Sequence, residues 1–219
     1  MSVVTIERKV LEKNDAFAAM NRDALVRQGV FTINMVSSPG AGKTTLLERT
    51  IAHLGGALSL AVVEGDVQTD LDAQRVAKYG VPVVQIVTNG GCHLEARLVH
   101  DAISRLDLST TDVLVIENVG NLVCPANFDL GEDLKVVVLS VTEGDDKPLK
   151  YPAMFQRASV LVINKVDLVP YVDADVSTIR RHARLANPDL QIFEASCRSG
   201  EGIAEWAEWL AAQAGRRRG

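Results

Sequence analysis

Val10, Phe17, Met20, Ala24 and Leu25 recur at helical spacing across residues 9–28, and Gly29 follows as a stop, which predicts an N-terminal helix laid against the rest of the protein. Beyond it, short apolar runs at 32–36, 59–63, 81–86, 113–116, 135–139, 160–163 and 191–193 alternate with longer amphipathic stretches at 43–54, 70–79, 94–106, 173–186 and 201–214. Several runs are apolar at consecutive positions, as in strands covered on both faces. The alternation predicts an α/β fold with a mostly parallel sheet of about seven strands, right-handed crossovers and helices on both faces. In such sheets ligands sit beyond the carboxyl ends of the strands. No repeat, linker or low-complexity tract divides the chain, so 1–219 reads as one domain, with 1–29 its helical extension and 30–219 its body.

Composition narrows the class. The chain has 219 residues, 47% hydrophobic and 23% charged, with a formal net charge of −5, which suits a domain that buries much of its surface and disfavours disorder. Its one basic cluster, Arg216, Arg217 and Arg218, reads as a solvated tail rather than a nucleic-acid contact, because nothing basic or aromatic accompanies it. Three cysteines at irregular spacing make no disulfide framework. No stretch approaches the ~20 apolar residues of a membrane span, and residues 1–13 lack a leader's apolar core. A cytoplasmic location is expected.

The first core strand runs into Ser37, Ser38, Pro39, Gly40, Ala41, Gly42, Lys43, Thr44 and Thr45, which open a helix. A phosphate cradle needs inward-turned backbone amides with no side chain in the way, which Gly40 and Gly42 allow. Lys43 adds a point charge and Thr44 a hydroxyl for Mg²⁺. Ser37 stands where the usual pattern has glycine, and a purely structural turn is the competing reading. After the strand at 160–163 come Asn164, Lys165, Val166 and Asp167. The Asp167 carboxylate can accept from two guanine donors that adenine lacks, the Lys165 stem can cover the base, and Asn164 can brace neighbouring loops. Ser196, Cys197, Arg198, Ser199 and Gly200 resemble the last base-contacting loop of GTPases, with backbone amides toward the base oxygen. GTP and GDP are therefore the expected nucleotides.

Two more strand ends supply acids. Glu64, Gly65 and Asp66 close one strand, and Glu117, Asn118, Val119 and Gly120 close another. The second set resembles the DxxG switch of G proteins with glutamate for aspartate, able to hold a magnesium water while the Gly120 amide nears the γ-phosphate. Thr44, Asp66 and Glu117 are the expected magnesium residues. Asn121 stands where some GTPases place a water-orienting glutamine, so turnover is expected to be slow, with Lys43, Asp66 and Glu117 carrying catalysis and Asp66 orienting the water. Helix capping or simple solvation is the alternative for Asp66.

Cys92 and His93 are adjacent, and Cys124 follows Gly120 closely. Two thiolates and an imidazole suit Zn²⁺ or Ni²⁺, although buried cysteine and structural histidine are commoner. Any ion held there would feel the nucleotide state through the short tether from Glu117. Three donors leave coordination incomplete, and a twofold dimer would supply the rest. His53, His100 and His182 fall in helical runs and receive no role.

As a set, these residues resemble the hydrogenase nickel-incorporation GTPases, the HypB family, within the P-loop metallochaperone class. The marks are the segments Ser37 to Thr45 and Glu64 to Asp66, then Cys92, His93, Leu94, Glu95 and Ala96. Glu117 to Asn121 with Cys124 and Pro125 follow, and then Thr142, Glu143, Gly144, Asp145, Asp146, Lys147 and Pro148. The resemblance implies a single P-loop GTPase domain acting as a GTP-dependent homodimer. Its metal site, Cys92, His93 and Cys124, would lie at the subunit interface, with Lys147 or Lys150 reaching across. It further implies nickel delivery with a small zinc-containing partner, HypA, to the large subunit of a [NiFe] hydrogenase. Some members carry an N-terminal cysteine motif or a histidine-rich stretch; the opening Met1, Ser2, Val3, Val4 and Thr5 has neither, so nickel storage there is not expected. A chaperone for another nickel enzyme such as urease, a nucleotide-dependent binding module with structural cysteines, and a phosphotransferase are the other readings. Asn164 to Asp167 disfavour the last.

Overall fold

The computed structural model describes residues 6–218. Its elements in chain order are α1 (Ile6–Arg27), β1 (Phe31–Ser37), α2 (Lys43–Leu54), β2 (Leu60–Asp66), α3 (Leu71–Ala77), β3 (Val83–Val87), α4 (Ala96–Ile103) and β4 (Val113–Glu117). Then come β5 (Leu134–Ser140), α5 (Lys147–Lys150), α6 (Pro152–Arg157), β6 (Val160–Asn164), α7 (Val176–Ala186), β7 (Gln191–Ala195) and α8 (Ile203–Arg218). The strands form one seven-stranded sheet in the order β3-β2-β4-β1-β5-β6-β7, with every pairing parallel. The expected sheet is thus present. The reading of residues 1–5 lies outside the described residues, as does the Val10 side chain.

Period-two alternation sorts the strand residues onto two faces. Ile33, Met35, Val62, Val115, Val138 and Val162 face α2 and α8 in one apolar cluster. There Trp206 donates its indole N–H to Thr50 Oγ1 at 2.9 Å, satisfying the one polar atom of a buried ring. The opposite face holds two clusters: Ala61, Val63, Leu114 and Ile116 under α1 and α4, and Val137, Leu139, Leu161 and Ile163 under α6 and α7. Between them Thr32 and Asn34 of β1 form a polar seam, buried although polar. No α-helix crosses between β4 and β5, so the segment 118–133, with a 3₁₀ turn at Cys124–Asn127, covers that seam.

Several boundaries differ from expectation. α5 and α6 escape the apolar pattern because each is only four to six residues long and carries a proline in its first turn, at Pro148 and Pro152. α4 begins only at Ala96, leaving Leu94 in a loop where its buried side chain packs against Gly65. The arginine tail is not simply solvated: α8 runs on to Arg218, and Arg217 pairs with Asp133 at 3.0 Å. α1 is bound to the body by buried Asn21, whose amide donates to the carbonyls of Ala96 (2.8 Å) and Leu130 (3.0 Å), and by Arg22, whose Nη2 lies 2.8 Å from both carboxylate oxygens of Asp129. Replacing Asn21 by Ala strands both carbonyls, so Asn21→Ala should cost about 2–3 kcal/mol of stability in urea unfolding.

Candidate nucleotide and metal site

β1 delivers the phosphate loop to the carboxyl edge of the sheet. Gly40 (φ 76°) and Gly42 (φ 97°) take left-handed conformations that glycine tolerates. Gly42 caps α2 without a side-chain hydrogen bond, leaving the first amides of the helix for an anion. The loop, Lys43, Thr44 and Thr45 line a cavity of about 490 Å³ together with Asp66, Asp72, Arg75, Gly120 and Lys165. Arg75 is pinned there by Glu48, Asp72 and Thr45. Gly120 stands against Pro39, where an added Cβ would come within 3.2 Å of the Pro39 backbone.

Behind the loop is a buried acid pair. The parallel register sets Glu117 opposite Glu64 on β2 and opposite Met35 on β1. Glu117 Oε1 accepts from Thr44 Oγ1 at 2.7 Å and lies 3.6 Å from Lys43 Nζ. Oε2 of Glu117 and Oε2 of Glu64 are both buried without a hydrogen-bond partner. Asp72 completes a carboxylate group whose oxygens lie within 4.8 Å of one another. The sequence reading chose Asp66 in this segment and passed over Glu64. Asp66 does line the cavity, but its Oδ1 accepts from the Gln68 and Thr69 amides and the Thr69 hydroxyl. Burial opposes its ionisation, and these hydrogen bonds outweigh it, holding the carboxyl below its ordinary range.

Asn164 and Lys165 bolt the loop that follows β6 to the phosphate loop. Asn164 Nδ2 donates to the Ala41 carbonyl at 2.9 Å, and Lys165, itself left-handed at φ 64°, donates from Nζ to Gly40 O at 2.7 Å. Asp167 Oδ1 accepts from Ser196 Oγ at 2.6 Å. The Cys197 amide and thiol turn toward Asn164 Oδ1 at 3.4 and 3.3 Å. Burial pushes that thiol up to about 11, so it stays protonated.

Past Gly120 the chain brings the third set together. Donor atoms of Cys92, His93 and Cys124 lie within 4.8 Å of one another, with the two sulfurs 2.9 Å apart. The His93 ring packs on Phe128 with 4.0 Å between centroids, and its Nε2 is buried without a partner. Burial lowers the His93 pKa, which favours the neutral imidazole a metal needs. The Cys124 thiol and burial together raise that of Cys92. Asn121 fastens the loop by donating to Cys92 O at 3.1 Å. The remaining histidines have other contacts: His100 meets Asn21, His182 the Asp145 carbonyl, and His53 Glu208. Lys150 pairs within the chain with Asp146.

A parallel sheet ending in an uncapped glycine loop, with a lysine, a threonine and buried acids behind it, defines a nucleotide-hydrolysing P-loop protein. The family model described as CobW/HypB/UreG, nucleotide-binding domain, matches residues 31–194. The hydrogenase maturation factor HypB of Azotobacter vinelandii is 54% identical over 215 residues, covering 98% of this chain and 71% of that one. The HypB of Escherichia coli K12 is 50% identical over 211 residues, covering 96% and 73%. The crystal structure of HypB from Helicobacter pylori in complex with nickel superposes with a TM-score of 0.89 at 39% identity, over 93% of this chain and 96% of that one. The chain belongs to the HypB family of hydrogenase maturation factors. Among the described residues no helix is long and apolar enough to cross a membrane.

The acid pair has a measurable consequence. Burial, followed by the charge of Glu117, raises the Glu64 pKa from an ordinary 4.5 to about 11. Folding therefore takes up a proton, and the stability of the metal-free protein falls as pH rises from about 4.5 toward about 11. Glu64→Gln should remove that slope. Its thermal midpoint should exceed the wild-type one at pH 8 and converge on it near pH 5; a gap that is independent of pH would refute the assignment.

Proposed function

We propose that this protein is a GTP-hydrolysing metallochaperone that inserts nickel during maturation of [NiFe] hydrogenase, working in the cytoplasm as a homodimer built from one P-loop domain per subunit. The observation that carries the reading is that Cys124, just downstream of Glu117 on the segment that leaves the nucleotide cavity, meets Cys92 and His93 from the loop after β3. Nickel is the cargo, and a small zinc-containing HypA-like protein and the hydrogenase large subunit are the partners. Zn²⁺ accepts the same donors and competes for them. Two copies meeting at this loop would complete the coordination shell.

In this reading Pro39, Gly40, Ala41, Gly42, Lys43, Thr44 and Thr45 cradle the phosphates. Asn164, Lys165 and Asp167 select guanine, supported by Ser196 and Cys197. The buried Oε2 atoms of Glu117 and Glu64 suit a divalent cation, so Thr44, Asp66 and Glu117, now joined by Glu64, are the residues for Mg²⁺. When bound, that ion neutralises charge on the transferred phosphoryl group. Lys43 supplies a second positive charge, Asp66 orients the attacking water at the cavity mouth, and Gly120 reports the terminal phosphate. Because Gly120 abuts Pro39, loss of that phosphate alters the start of the segment bearing Cys124.

Three outcomes are expected. Asp167→Ala should lower the preference for GTP over ATP by about tenfold or more in equilibrium binding, since a site built to pair donors discriminates by what it leaves unpaired. With a nonhydrolysable GTP analogue the wild type should run as a nickel-loaded dimer in native mass measurements. Cys124→Ala should weaken nickel binding by about tenfold or more, because even outer-shell partners carry that much. Equal nickel affinity with GDP and with the analogue would defeat the carrier reading, as only differential affinity shifts an equilibrium.

A further inference from the structure

The seam between the two apolar clusters contains polar side chains that the nucleotide and metal roles leave unused. Asn34, Asn118, Glu132 and Lys135 are all buried or nearly so, and each is hydrogen-bonded to the next or to the loop that covers it. Lys135 Nζ donates to the Pro125 carbonyl at 3.0 Å and the Phe128 carbonyl at 3.2 Å, and lies 3.6 Å from Glu132 Oε1. Glu132 accepts from the Leu130 amide and, at 3.1 Å, from Asn34 Nδ2. Asn34 Oδ1 accepts from Asn118 Nδ2 at 3.2 Å. Asn118 Oδ1 accepts from the amides of Leu94 (3.1 Å) and Val119 (3.0 Å).

The polarity of this chain is fixed from one end. A carboxylate only accepts, so Asn34 must turn its NH₂ toward Glu132 and its oxygen toward Asn118. Asn118 must then give its own NH₂ to Asn34, which leaves its oxygen for Leu94. The reverse amide orientation would set donor against donor at the Leu94 N–H, a buried mismatch with a large penalty. The two ends of the chain are the two halves of the metal-ligand set. Leu94 follows His93 directly and packs on Gly65, while Pro125 follows Cys124 and Phe128 carries the His93 ring. Asn118 itself follows Glu117 and is held to β1 by its amide on the Met35 carbonyl at 2.9 Å.

We propose that Asn118, oriented by Asn34, Glu132 and Lys135, is the positioning residue that couples nucleotide state to both metal-ligand segments. This rests on the carrier reading above. A shift at the end of β4 reaches Cys92 and His93 through the Leu94 amide, and reaches Cys124 through the carbonyls held by Lys135. The covalent tether from Glu117 to Cys124 is then joined by a second route to Cys124 and by a separate one to Cys92 and His93.

The test is the Ni²⁺ dissociation constant, measured by competition with a chromogenic chelator on the full chain, with GDP–Mg²⁺ and with a nonhydrolysable GTP analogue and Mg²⁺. Wild type, Asn118→Ala and Glu132→Gln are compared. The wild-type ratio between the two states should be about fivefold or more. Both variants should reduce it by roughly threefold or more while still binding Ni²⁺ in each state. Glu132→Gln is isosteric and replaces none of the ligands or their chain neighbours, so it decides the matter if Asn118→Ala fails to fold. A wild-type ratio of one defeats the carrier reading and the coupling with it. A normal wild-type ratio that the variants retain defeats the coupling alone. Loss of Ni²⁺ binding by the same factor in both states would make Asn118 a support for the ligands, and likewise overturn the proposal.

Discussion

The parallel register of β4 against both neighbours places Glu117 between the phosphate loop and a second buried carboxylate, and the other functional geometry is arranged around that position. Thr44 and Lys43 reach it from α2, Glu64 lies beside it on β2, and the chain that leaves it passes Pro39 before turning to Cys124. Two acids side by side in an apolar interior oppose each other's ionisation, so the pair is unfavourable unless a cation or a proton is present.

A second constraint comes from the missing crossover helix. A loop laid over the middle of a sheet must satisfy its own buried carbonyls and amides, which water cannot reach. Here Lys135, Glu132, Asn34 and Asn118 do so, and the loop is tied to the strands at several points along its length. The segment that carries a soft-ligand cysteine is therefore part of the packed interior, whereas an ordinary surface loop would move independently of the nucleotide cavity.

The sequence announced the seven strands because each centres on a short apolar run set between longer amphipathic stretches, and it announced the phosphate loop because glycine, lysine and threonine follow one such run closely. It concealed α5 and α6, whose prolines and short length erase any period. Glu64 was hidden for a different reason. Glu64 and Asp66 project from the same face of β2, and only the register with β4, which no local pattern encodes, shows which of them meets Glu117. Asn34 was likewise lost inside a strand that reads as simple core. Arg217 looked like solvated tail because its partner Asp133 is distant in sequence.

The bonds from Lys165 to the Gly40 carbonyl and from Asn164 to the Ala41 carbonyl join the loops that follow β6 and β1, two strands with β5 between them. Under the proposed function, recognition of the base and grip on the phosphates are thereby mechanically coupled. A bound nucleotide cannot release one end while the other stays seated in an undisturbed cradle, so departure requires both loops to yield together.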